Sequence, residues 1–113
     1  MEKFEVTSTK YGAVRGIHKT SCLDTDYISF QAIPYMKAPL GFLRFRDAQP
    51  PKAWDEPFNA TDDAPSYCDF NIITNVMEGQ ENAGIINVYT KSLKPQKLYP
   101  VMVYVSFTFI SIH

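Results

Sequence analysis

The sequence predicts a β-rich domain with one short helix, and three patterns carry that reading. Apolar and polar residues alternate through residues 4–9 and again through 13–17, on either side of a turn. Residues 27–33 and 85–90 are apolar, β-branched or aromatic runs of strand length. Phe70, Ile73 and Met77 are spaced as on one face of a helix.

Taken in order, Phe4, Val6 and Ser8 alternate with Glu5, Thr7 and Thr9, and Lys10, Tyr11 and Gly12 supply a turn. The extended pattern resumes at Ala13 to Ile17, which reads as a β-hairpin. A polar loop follows from His18 to Asp26, then a third strand over 27–33 that Pro34 stops by holding Ile33 extended. Pro34, Pro39 and Gly41 punctuate a loop, and residues 43–45 form a short extended piece before the proline break at 50–51. Asp69 is placed to cap the helix that begins at Phe70, and Gly79 to end it. Residues 85–90 form a strand, and the apolar run that begins at Val101 and ends at Ile112 forms another, so that the two can lie antiparallel. At 12 residues that last run is too short to cross a bilayer, which takes about 20 residues as a helix.

Composition narrows the function classes. The chain has 113 residues, long enough for one domain to bury roughly 60–70% of its unfolded surface. Its 11 basic and 12 acidic side chains leave a net charge of -1 with no run of like charges, which argues against nucleic-acid binding. The N-terminal MEKFEV alternates charged and apolar residues and does not read as a signal peptide, so a cytoplasmic address is expected. Two cysteines, Cys22 and Cys68, lack metal-ligand spacing and read as free thiols. No internal repeat or linker divides the chain.

Seven motifs occur in a recognisable order: residues 9–16 (TKYGAVRG), 30–35 (FQAIPY), 39–45 (PLGFLRF), Trp54, 59–61 (NAT), 86–90 (INVYT) and 100–104 (PVMVY). Together they resemble the N-terminal part of a type-B carboxylesterase, most of all the insect α-esterase branch. The resemblance implies an α/β fold of which this chain is the N-terminal, β-rich portion of an α/β-hydrolase: a small hairpin sheet and the first strands of the central sheet, incomplete. It covers residues 1–105 and sets 106–113 apart as a non-family tail. A complete member is roughly five times longer. The family activity implied is carboxylic ester hydrolysis by a serine–histidine–acid triad, without metal or cofactor, on small ester substrates.

None of that triad falls in this stretch. A nucleophile elbow needs a G-x-S-x-G turn, because small neighbours permit the strained bend that exposes the hydroxyl. None of Ser8, Ser21, Ser29, Ser66, Ser92, Ser106 and Ser111 has glycines two positions away on both sides. After Tyr104 the family continues into a glycine-rich oxyanion loop, whereas this chain reads VSFTF over 105–109, side chains that would fill the approach of backbone N–H groups to an oxyanion. Val105 and Ser106 are also what GTGAGT, a common splice-donor sequence, encodes. The expected catalytic set in this chain is therefore empty and the chain is expected to be inactive. The runner-up is a non-catalytic binding or dimerisation module derived from an esterase, with self-association through the run from Val101 to Ile112.

Other residues carry lesser expectations. The resemblance implies a structural ion pair between Arg44 and Glu81, with two exposed charges worth about 0–1 kcal/mol as the alternative. Ala32 replaces a family glycine, which is tolerable only at negative φ. Secreted members pair a cysteine near Cys68 with one in an E-D-C segment; here that segment is Glu81, Asn82 and Ala83, leaving Cys68 without that partner. His18 reads as a solvated loop histidine without an orienting group rather than the partner of Cys22 or Cys68. His113 is terminal. Asn59, Ala60 and Thr61 form a glycosylation sequon that matters only in a secreted chain. Gly12 and Gly16 read as turn geometry, and Trp54, Tyr67 and Phe70 as packing aromatics rather than a recognition surface.

Overall fold

The computed structural model describes residues 1–71 and 73–105. Strands β1 (Phe4–Thr9) and β2 (Gly12–Thr20) form the expected hairpin, with Phe4 opposite Ile17 and Thr9 opposite Gly12, so that Lys10 and Tyr11 alone make the turn. Gly12 sits at φ +148° with Trp54 packed against it. The Trp54 amide donates to the Tyr11 carbonyl at 2.9 Å and its indole Nε1 to the Ala13 carbonyl at 2.7 Å. A Cβ on Gly12 would overlap the indole and stand 2.6 Å from the Trp54 carbonyl oxygen. Trp54 is thus a clasp on the hairpin, with its ring against Phe58 at 5.6 Å between centroids.

β3 (Asp26–Pro34) pairs antiparallel with β2, and β7 (Ile85–Thr90) pairs antiparallel with β3, giving the order β1-β2-β3-β7. β4 (Phe58–Asn59) lies parallel to β2 beside Val14 and Arg15. Val14, Ile28, Phe30 and Ala60 form the buried core, with Ile33, Trp54, Phe58 and Leu93 packed around it. That core is small. The accessible surface of 9563 Å² compares with about 6,300 Å² for a self-sufficient monomer of 12.9 kDa. Among the described residues no α-helix packs on the sheet.

The structure departs from the sequence reading in five places. First, no helix forms at 70–77. β5 (Asp69–Asn71) and β6 (Val76–Glu78) make a hairpin in which Phe70 faces Met77. Asn71 Oδ1 accepts the amides of Ile73 at 2.9 Å and Thr74 at 3.2 Å, and Asn75 turns back at φ +57°, so local side-chain bonding displaces helix propagation. Asp69 accepts the Phe70 amide, and Gly79, at φ +93°, begins the next segment where a Cβ would overlap the Tyr67 carbonyl.

Second, residues 43–45 make no extended piece: Leu43 ends a 3-10 turn and Phe45 lies at φ +58°, leaving only Arg44 extended. A 3-10 turn spans Gly41–Leu43, closed by Leu43 N–H to Leu40 carbonyl at 3.1 Å and Arg44 N–H to Gly41 carbonyl at 3.2 Å. Phe42 and Phe45 stand in solvent, so no apolar face holds this piece straight.

Third, β2 continues through His18, Lys19 and Thr20, and the loop shrinks to residues 21–25. These polar residues are satisfied across the sheet: Lys19 Nζ donates to Gln31 Oε1 at 3.1 Å and Thr20 Oγ1 to Asp26 Oδ1 at 2.7 Å.

Fourth, Ala32 lies at φ +59°, not in the negative region that an alanine favours. It sits where the β3–β7 register shifts between Phe30 and Ile33, and its amide donates to Asn87 Oδ1 at 2.9 Å. Fifth, residues 101–105 form no strand and are exposed, so β7 pairs with β3 instead of with them. The rest of that expected strand, and His113, lie outside the described residues.

Candidate functional site

The hairpin register sets Glu5 opposite Gly16 and diagonal to His18. Glu5 Oε2 and His18 Nε2 are 2.7 Å apart. This is a histidine held by a carboxylate on the hairpin, and it corrects the expectation of a loop histidine without an orienting group. A cross-strand diagonal was countable from the hairpin once β2 is run on to Thr20, which is the signal that the polar residues there obscured.

The pair opens on a cleft of about 480 Å³, which Thr7, Ile28, Lys91, Ser92 and Lys94 also line. Thr7 and Ser92 bring hydroxyls to that cleft, and the Ser92 Oγ accepts the Lys94 amide at 3.2 Å as part of the turn that leaves β7. Thr90 Oγ1 accepts the Ser92 amide at 3.4 Å and donates to the Ser92 carbonyl at 3.0 Å, which fixes the same turn. The His18 ring bonds Glu5, and among the described residues no hydrogen bond joins it to the hydroxyl of Thr7 or of Ser92. Ser29 Oγ is buried in the sheet and has no hydrogen-bond partner among the described residues. It is fully buried and does not line the cleft.

Arg44 Nη2 lies 3.3 Å from Glu81 Oε1, tying the segment after the 3-10 turn to the segment before β7. Both side chains are about half exposed, and the guanidinium also lies 5.2 Å from the Phe45 ring. Cys22 and Cys68 are exposed and unbridged, and the His18 ring bonds Glu5 instead of either thiol. Tyr67 and Phe70 are exposed, while Trp54 packs within the chain. Among the described residues no three histidine, cysteine or acidic side chains gather as metal ligands, and no helix is long and apolar enough to cross a membrane.

The sheet order and the motifs lying along it match known proteins. The model of the carboxylesterase family matches residues 3–109. The chain belongs to the carboxylesterase family. It is 40% identical over 97 residues to esterase B1 of Culex pipiens, a match covering 86% of this chain and 18% of that one. With juvenile hormone esterase of Tribolium castaneum it shares 38% over 99 residues, covering 86% and 17%.

Among solved structures, juvenile hormone esterase from Manduca sexta superposes with a TM-score of 0.58 at 33% identity, covering 62% of this chain and 13% of that one. A carboxylesterase of Geobacillus stearothermophilus superposes with a TM-score of 0.60 at 28% identity, covering 79% and 17%. The fold of this carboxylesterase-family chain is therefore the β-rich beginning of an α/β-hydrolase, and it spans less than a fifth of the relatives named here. The family match runs to residue 109, inside the stretch from 106 that the sequence reading set apart.

Proposed function

We propose that this chain is the N-terminal segment of a serine-dependent carboxylic ester hydrolase and that, taken alone, it turns over no ester. The observation that carries the proposal is the carboxylesterase-family match over residues 3–109, and among the described residues the His18 ring bonds Glu5 and neither hydroxyl of its cleft, Thr7 or Ser92. The absence of any G-x-S-x-G turn in the sequence supports it. Small esters are then substrates of the complete enzyme, not of these strands.

The test is hydrolysis of p-nitrophenyl acetate by the purified chain. A linear, non-saturating rate that an organophosphate leaves unchanged is the expected result. Saturable turnover abolished by the organophosphate would overturn the proposal.

We place the family boundary at residue 105, because Phe107, Thr108 and Phe109 stand where the resemblance calls for oxyanion-loop glycines. A transcript that joins the codon of Tyr104 to a glycine-rich loop would show the tail to be an alternative end. A reducing, cytoplasmic setting is the compartment proposed, supported by two exposed thiols left unbridged; fractionation of cells making the chain tests it. A second reading, a self-associating module, is favoured by the exposure of Val101 to Val105.

A further inference from the structure

We draw no further inference here: the strongest candidate, the cleft between the β1–β2 hairpin and the segment after β7 that Lys91 and Lys94 line beside the Glu5–His18 pair, lies in a chain that spans less than a fifth of its relatives, and nothing in the structure shows what covers or occupies it.

Discussion

Ala32 offers the sharpest test of how this sheet is held. At φ +59° an alanine carries about 1–2 kcal/mol of left-handed strain that glycine does not. Replacing it with glycine gives back about 0.4–1 kcal/mol through the freer unfolded chain. Loss of one half-buried methyl removes about 0.3 kcal/mol more. The net for Ala32→Gly is a gain of about 0.5 kcal/mol. With an unfolding entropy of about 0.24 kcal/mol/K for a chain of this length, that raises Tm by about 2 °C.

Thermal unfolding followed by circular dichroism measures it. Gly41 supplies the mirror control. It lies at φ +57° with open space around its Cβ position, so Gly41→Ala should lose a similar amount. An Ala32→Gly variant with an unchanged or lower Tm, or Ala32→Val as stable as the parent, would refute the claim that the register shift is strained.

Four further outcomes follow from contacts described above. Gly12→Ala forces Trp54 off the hairpin, costs about 2 kcal/mol or more and shifts the emission of the single tryptophan to the red, as fluorescence would show. Arg44→Ala and Glu81→Ala each cost less than about 1 kcal/mol, and the coupling in a double-mutant cycle fades in high salt. His18→Gln lowers stability by up to about 1 kcal/mol, read by urea unfolding, without altering any ester hydrolysis. Asn71→Ala strips acceptors from two amides and selectively raises hydrogen exchange over residues 69–78.

The strands that bury one face were legible in the sequence. Alternation marked β1 and β2, and the apolar runs marked β3 and β7, because in each the pattern and the packing have the same cause. The β5–β6 hairpin was not. Phe70 and Met77 are seven residues apart, which fits two helical turns, but seven is also their separation as partners across a tight reversal. Only the asparagines at 71 and 75 distinguish the two, by bonding and turning the backbone locally.

His18 was misplaced for a different reason. Composition assigns polar residues to loops, whereas here each polar side chain on the end of β2 finds a partner on a neighbouring strand. Residues 101–105 have strand composition without a strand, since extended backbone is stable only when something pairs with it. The family motifs were readable throughout; the carboxylate beside His18 needed the register.

The register shift in β3 also dictates how the chain tolerates changes of length. Phe30 faces Val88 and Ile33 faces Ile86, so Gln31 and Ala32 together oppose Asn87. That doubled position is why Phe30 and Ile33, an odd number of residues apart, both reach the same core. Straightening the strand while keeping Ala32 would swing Ile33 to the far side of the sheet, whereas deleting Ala32 would leave Ile33 two residues after Phe30 and both on the core face. In a lineage of such proteins, this strand can shed the doubled residue but cannot flatten around it.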